Sequence, residues 1–178
     1  MSIPSRLSLH HLAQGIAEVA VMDGDFVLRS GQVSHRYFDK YRFEGLPYLL
    51  QPLARAMSDL LPTQTEIIAG FELGDIPLVT ALSLETGLPA AFIRKEAKSY
   101  GTCQAIEAQN IAGKKVTFIE DVISTEGAIT DAHHLATQEV ADILAVVCAI
   151  LRGRGSPTIQ GIPKLPVYPV FTRADLER

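Results

Sequence analysis

Apolar residues along the chain follow two regular spacings. Where they recur every three or four positions they predict amphipathic helices, at residues 7–22, 47–61, 76–86 and 128–137. Short uninterrupted apolar runs predict buried strands, at residues 67–70, 90–93, 116–119 and 143–151. Gly24 is expected to end the first helix. Strands that alternate with helices predict an α/β fold with a central parallel sheet and helices on both faces.

Other segments lie outside this alternation. Residues 26–28 and 36–39 are short extended pieces around a Ser30-Gly31 turn, and they predict a small N-terminal flap. Residues 94–110 are polar and would be a long excursion between two buried strands, which is typical of a functional loop. Residues 167–171 are expected to add a short edge strand before a final helical turn at 174–177.

Composition narrows the class of protein. With 178 residues and 47% hydrophobic content, we expect one domain, residues 1–178. A net charge of -4 gives no global attraction to nucleic acid or to anionic membranes, so we expect neither as a partner and any anion site must be local. No stretch approaches the roughly 18 apolar residues of a membrane span, and we expect no signal peptide. Of the two cysteines, Cys148 lies in an apolar run and is expected to be an inert core residue, and a cytoplasmic location is expected.

The residues after the 116–119 strand carry the candidate chemistry. Glu120 and Asp121 stand at the end of this predicted strand, and a turn with small and hydroxyl-bearing residues leads into the next helix, with Ser124, Thr125 and Gly127. Backbone N–H groups and the positive end of the helix dipole make such a turn a phosphate cradle. Paired carboxylates accept hydrogen bonds from a sugar diol and attract Mg²⁺. The implied ligand is therefore a phosphorylated ribose.

This order of residues resembles the signature that binds phosphoribosyl pyrophosphate (PRPP) in the type I phosphoribosyltransferases. Further segments within residues 24–152 narrow the resemblance to the orotate phosphoribosyltransferases. These enzymes join orotate to PRPP in pyrimidine synthesis and yield orotidine 5′-monophosphate and pyrophosphate. The resemblance implies the type I phosphoribosyltransferase fold, with a small hood of about residues 1–40 plus the C-terminal tail over a core of about residues 45–155.

Residues 94–101 resemble the family's mobile basic loop. Arg94, Lys95 and Lys98 lie close together in sequence, and charge-assisted hydrogen bonds from such cations stabilise a departing pyrophosphate. The resemblance implies that Lys98 is catalytic and that loop 94–108 completes the active site of the neighbouring subunit in a homodimer. Tyr100 stands where the family usually has a histidine.

Two more segments and Arg152 complete the resemblance. Residues 24–39 are similar to the hood motif, which implies that Arg29, Tyr37 and Phe38 contact orotate. Residues 70–77 are similar to the pyrophosphate loop, whose backbone approaches the ligand closely. Arg152 follows the last core strand, and the resemblance implies that it binds the orotate carboxylate.

The resemblance assigns each of these residues a role. Lys98 and Asp121 are the expected catalytic residues. The expected PRPP-binding residues are Arg94, Lys95, Lys98, Tyr100, Glu120, Asp121, Ser124, Thr125 and Gly127. The expected orotate-binding residues are Arg29, Tyr37, Phe38, Ser124 and Arg152. Mg²⁺ is the expected cofactor, bridging pyrophosphate and ribose oxygens, and no side chain is named as its direct ligand.

Departures from the family pattern leave other functions open. Glu126 stands where the family usually has a glycine, Leu73 where many members have a lysine, and Leu151 where an aspartate is frequent. One alternative is a catalytically weak paralogue that senses PRPP or nucleotides. Another is the same transfer to a different base, since the fold does not fix the acceptor.

Overall fold

The structure, a computed structural model, describes residues 7–27, 31–95, 104–124, 127–152, 159, 162 and 165–177. The helices are α1 (Leu9–Ala20), α2 (Lys40–Glu44), α3 (Pro47–Ser58), α4 (Ile76–Thr86), α5 (Gly127–Gln138) and α6 (Arg173–Leu176). The strands are β1 (Val21–Val27), β2 (Val33–Phe38), β3 (Ile67–Phe71), β4 (Ala90–Ile93), β5 (Ile106–Glu107), β6 (Lys115–Ile123), β7 (Asp142–Leu151) and β8 (Val167–Thr172). In this part of the chain, no helix is both long enough and apolar enough to cross a membrane.

The larger sheet has the strand order β5-β4-β3-β6-β7-β8. Its strands are parallel except β5, which pairs antiparallel with β4. One apolar cluster joins a face of the sheet to α1, α3 and α4, and a second joins the opposite face to α5. Because both faces are covered, the strands are nearly continuous apolar runs, and Cys148 on β7 is fully buried as predicted. The predicted sheet with helices on both faces is confirmed.

The N-terminal flap is an antiparallel hairpin of β1 and β2, in which Val21 pairs with Phe38 and Val27 with Val33. The prediction that Gly24 ends the first helix is wrong, because α1 ends at Ala20 and β1 follows at once. Gly24 instead lies at an irregularity of the ladder between Asp23 and Phe26. A glycine inside a strand commonly marks such an irregularity.

The C-terminal tail contributes to the core. Strand β8 pairs in parallel with β7 at the edge of the main sheet, and α6 packs against α1. The tail was expected to belong to the hood, so this part of that prediction is corrected for residues 167–172. The physical reason is burial, since Val167 and Phe171 enter the two apolar clusters.

Strand β6 runs further than the strand beside it. Its register with β3 ends at the Gly70–Ile119 pair, whereas its register with β7 continues to Ile123 and Leu151. Glu120 and Asp121 therefore lie inside β6, and the prediction that the strand ends at Ile119 is wrong. The chain continues from β3 to β4 on one side and from β6 to β7 on the other, and the space between the ends of β3 and β6 is called the crevice below. In parallel sheets, ligands bind at such a topological switch point.

Candidate active site

Asp121 is a buried acidic residue at the crevice, with 1% of its surface exposed. Its carboxylate forms an ion pair with the ammonium of Lys40 on α2. The backbone N–H of Val122 donates to the same carboxylate. Because these groups orient the side chain from two directions, Asp121 is a fixed acceptor at the end of the crevice.

Asp75 links the β3–α4 turn (residues 72–75) to β6. One of its oxygens accepts from the N–H of Phe71 at 2.9 Å, and the other accepts from the N–H of Asp121 at 3.1 Å. Asp75 is 1% exposed. The peptide bond between Glu72 and Leu73 in this turn is cis. Asp75 thus holds the turn against the strand that carries Asp121.

The carboxylate oxygens of Asp75, Glu120 and Asp121 lie within 4.8 Å of one another. Burial is the main cause that raises the pKa of Asp75 and of Glu120 above the ordinary values, and the neighbouring carboxylates add to it. Such an arrangement favours a cation, and an all-oxygen donor set is the one that Mg²⁺ prefers. The sequence reasoning found Glu120 and Asp121 but missed Asp75, whose only signal was an added negative charge near the β3–α4 turn.

Lys40 brings a cation to these carboxyls. Burial lowers the pKa of Lys40, but the nearby acidic groups, Asp121 first, together more than offset that effect, so the pKa lies above its ordinary value and the ammonium stays charged. The ammonium rests against the backbone of Gly74, because a Cβ on that glycine would overlap Lys40 Nζ and Cε. Lys40 was not among the predicted site residues, and the sequence gives no pattern that would have found it.

The predicted phosphate cradle lies at the start of α5. Ser124 directly follows β6 and is exposed, and Gly127 is the first residue of α5. The first N–H groups of a helix have no partner within it, so they are available to an anion. Thr125 and Glu126 lie outside the described residues, and the expectations about them stay predictions.

Phe38 and Arg152 meet beside the crevice. The Arg152 guanidinium carbon lies 5.0 Å from the centroid of the Phe38 ring, which is a cation–π distance. The N–H of Arg152 donates to the carbonyl of Ile123 at 2.9 Å, so this arginine lies at the end of β6. Burial, and then the nearby Arg173, lowers the pKa of Arg152. These contacts place an aromatic face and a planar cation together.

Tyr37 lies on the other side of the hairpin. Its ring centroid is 5.3 Å from that of Phe26, and 43% of the residue is exposed. Consecutive strand residues point to opposite faces, so Tyr37 and Phe38 do not share one surface. Of the residues predicted to contact orotate, the structure therefore brings Phe38 and Arg152 together but not Tyr37. Arg29 lies outside the described residues.

The predicted basic loop is fastened at its base. The N–H of Arg94 donates to the carbonyl of Ala105 at 2.8 Å, next to the short β4–β5 ladder. The Arg94 guanidinium forms an ion pair with Glu72 of the β3–α4 turn at 3.2 Å, and Lys95 is exposed. Lys98 and Tyr100 lie outside the described residues. The base of the loop thus lies at the carboxyl end of the parallel strands, as Asp121 does.

The chain matches no family model. It does match a curated relative of comparable length, the "Orotate phosphoribosyltransferase" of a Nocardioides species. The two are 46% identical over 166 residues, which cover 93% of this chain and 93% of the relative. The chain belongs to the orotate phosphoribosyltransferase family. It is therefore a phosphoribosyltransferase, as the resemblance implied.

Solved structures agree with this assignment. Orotate phosphoribosyltransferase of Mycobacterium tuberculosis in complex with Fe(III) dicitrate matches with a TM-score of 0.84 at 25% identity, covering 96% of this chain and 99% of that one. The same enzyme in complex with PRPP matches with a TM-score of 0.80 at 23% identity, over 96% and 99% of the chains. The predicted type I phosphoribosyltransferase fold is confirmed. Membership of this family does not favour the sensing paralogue or a different acceptor base.

Proposed function

We propose that the protein transfers the phosphoribosyl group of PRPP to orotate, giving orotidine 5′-monophosphate and pyrophosphate, with the crevice between β3 and β6 as its active site. The observation that carries the proposal is the position of Asp121. This buried carboxylate lies between the start of α5 and the β3–α4 turn. A ribose held there has a phosphate site on one side and the basic loop on the other.

The ribose 5-phosphate part of PRPP binds to β6 and α5. Glu120 and Asp121 accept hydrogen bonds from the ribose hydroxyls. The N–H groups of the turn into α5 bind the 5′-phosphate, aided by the hydroxyls of Ser124 and Thr125 and by the open backbone at Gly127. Asp121, held by Lys40 and the Val122 N–H, fixes the ribose while the bond at its anomeric carbon breaks.

The departing pyrophosphate binds near the basic loop. Arg94, Lys95, Lys98 and Tyr100 donate hydrogen bonds to its oxygens, and the negative charge grows as the sugar becomes oxocarbenium-like. We infer that loop 94–108 serves the neighbouring subunit of a homodimer, so that Lys98 acts in its partner's site.

Orotate binds on the hood side of the ribose. Arg152 binds its carboxylate through the planar guanidinium, and Phe38 stacks on its ring, which is supported by the 5.0 Å approach of these two side chains. Arg29 and Ser124 complete the set proposed to contact the base, and Tyr37 is left out of it because it lies on the other face of the hairpin, against Phe26.

The oxygens of Asp75, Glu120 and Asp121 fit Mg²⁺. When bound, the metal supplies positive charge that neutralises the pyrophosphate. The carboxyl groups themselves hold the ribose and the β3–α4 turn in register.

Turnover of orotate and PRPP with Mg²⁺ by the full chain tests this function, and orotidine 5′-monophosphate is the expected product. The variant Asp121→Asn is expected to lower kcat/KM for PRPP by about tenfold to a hundredfold, since it removes a charged acceptor. Glu139→Gln, an exposed carboxyl after α5, is the matched control and should not change it. PRPP binding without turnover would instead support the sensing paralogue, and turnover of another base alone would reject orotate.

A further inference from the structure

Lys40 lies where the hood meets the crevice. It is the first residue of α2, directly after the strand that carries Phe38. Its ammonium reaches across to Asp121 on β6 and rests on Gly74 of the β3–α4 turn.

The surroundings of this ammonium are acidic. The negative charge of Asp121, and then that of Asp75, raises the pKa of Lys40. Among the ion pairs of the described residues, Lys40 is the cation that serves these carboxyls. Without it, an incoming polyanion would meet a cluster of carboxylates with no opposing charge.

The ammonium is also reachable. About 30% of the Lys40 side chain is exposed, against 1% of the Asp121 side chain. An ammonium has three N–H donors, so a contact with Asp121 leaves donors for a second anion. The β3–α4 turn has no cation of its own. Its residue Leu73 is apolar and 71% exposed, and Glu72 is anionic.

We propose that Lys40 binds the pyrophosphate group of PRPP directly, and that Gly74 is small because this ammonium occupies the surface of the turn. The inference rests on the proposed function. Lys40 supplies, from the hood, the positive charge that the β3–α4 turn lacks. Asp121 holds the ammonium in place before the substrate arrives.

The competing explanation is that Lys40 only neutralises Asp121. A double-mutant cycle separates the two, because inorganic pyrophosphate carries no ribose and does not need Asp121 as an acceptor. The experiment is calorimetric titration of Mg²⁺ and inorganic pyrophosphate into the full chain, as wild type, Lys40→Met, Asp121→Asn and the double variant. Lys114→Met is the matched control, since this lysine pairs with Glu66 at the opposite end of β6.

The expected result is that Lys40→Met weakens pyrophosphate binding by about tenfold to a hundredfold, both in the wild type and in the Asp121→Asn background. Lys114→Met is expected to stay within about twofold of wild type. Equal affinities for Asp121→Asn and the double variant would overturn the proposal, because Lys40 would then act only through Asp121. Lys40→Met alone leaves Asp121 buried without its cation, which can prevent folding. In that case the comparison of Asp121→Asn with the double variant still decides, because neither of these two proteins contains the Asp121 carboxylate.

A turnover assay separates failure of this inference from failure of the proposed function. A wild type that makes orotidine 5′-monophosphate, together with a Lys40→Met variant of unchanged pyrophosphate affinity, rejects Lys40 and keeps the function. A wild type that makes no product and binds no pyrophosphate rejects both.

Discussion

The side chain of Glu44 carries a buried carboxyl group, and 4% of the residue's surface is exposed. Neither of its oxygens has a hydrogen-bond partner among the residues that the structure describes. The charges of Asp121, Lys40, Asp75 and Asp39 act on this carboxyl group. Burial, and then Asp121, raises the pKa of Glu44 from 4.5 to about 8. The folded protein therefore holds this group neutral at a pH where the unfolded chain would have lost its proton.

The pH dependence of stability follows from that shift. A carboxyl whose folded pKa is raised contributes stability that is fully present below pH 4.5 and is lost as the pH rises towards 8. Glu44→Gln removes this dependence, so the wild type should lose roughly 3 kcal/mol relative to the variant between about pH 5.5 and 8.5. Urea unfolding at both pH values measures it, with Glu139→Gln as the exposed control. Parallel pH curves for wild type and Glu44→Gln would show that the carboxyl is not held neutral.

A second prediction concerns the effect of a side chain at Gly74 on pyrophosphate binding. A Cβ at this position would overlap Lys40 Nζ and would lie 3.0 Å from an oxygen of Asp121. Gly74→Ala should therefore push the ammonium aside and weaken Mg²⁺-pyrophosphate binding by about tenfold, on the order of one lost charged hydrogen bond. In a Lys40→Met background the same substitution should have almost no further effect. An equal loss in both backgrounds would mean that the turn itself was distorted.

Some of these residues could be predicted from the sequence and others could not. Glu120 and Asp121 stand beside the turn into α5 in the chain, so their chemistry is visible as one short motif. Lys40 and Asp75 join them only because α2 and the β3–α4 turn fold over the end of β6. Contacts between residues so far apart in sequence depend on topology, which no local pattern records.

The spacing of apolar residues predicted the long helices and strands but missed the short ones. Helix α2 and strand β5 are too short to complete a recognisable period. The end of β6 was misjudged because charged residues usually mark a strand end, whereas here Glu120 continues the pairing with Cys148 of β7. The apolar length of β7 was the signal that its neighbour also extended further.

The β3–α4 turn and the base of the basic loop are joined by the Glu72–Arg94 ion pair, at 3.2 Å with both side chains about one-third exposed. In the proposed site, Glu72 would therefore compete with pyrophosphate for Arg94. Glu72→Gln should tighten Mg²⁺-pyrophosphate binding by about two- to fivefold at low salt and less at high salt, as expected for a partly exposed pair. Glu66→Gln is the control, because Glu66 pairs with Lys114 at the other end of the sheet. Unchanged or weaker binding by Glu72→Gln would argue against this competition.

The hood and the core both contribute side chains to one crevice. The hood provides Phe38 and Lys40, and the core provides Asp121 and Arg152. The base of the basic loop stands at the same sheet edge, where Arg94 and Ala105 are hydrogen-bonded. The proposed homodimer adds a further requirement, namely that residues of this loop serve the partner's crevice.

Mixing two impaired variants tests that requirement. Lys98→Ala damages only the loop, and Asp121→Asn damages only the crevice. If each loop serves the neighbouring subunit, a mixed dimer contains one site with an intact crevice and an intact loop. Subunits that exchange at random from equal amounts should then recover about a quarter of the wild-type turnover. If each loop instead serves its own subunit, every site keeps one defect, and the mixture should be no more active than the average of the two variants.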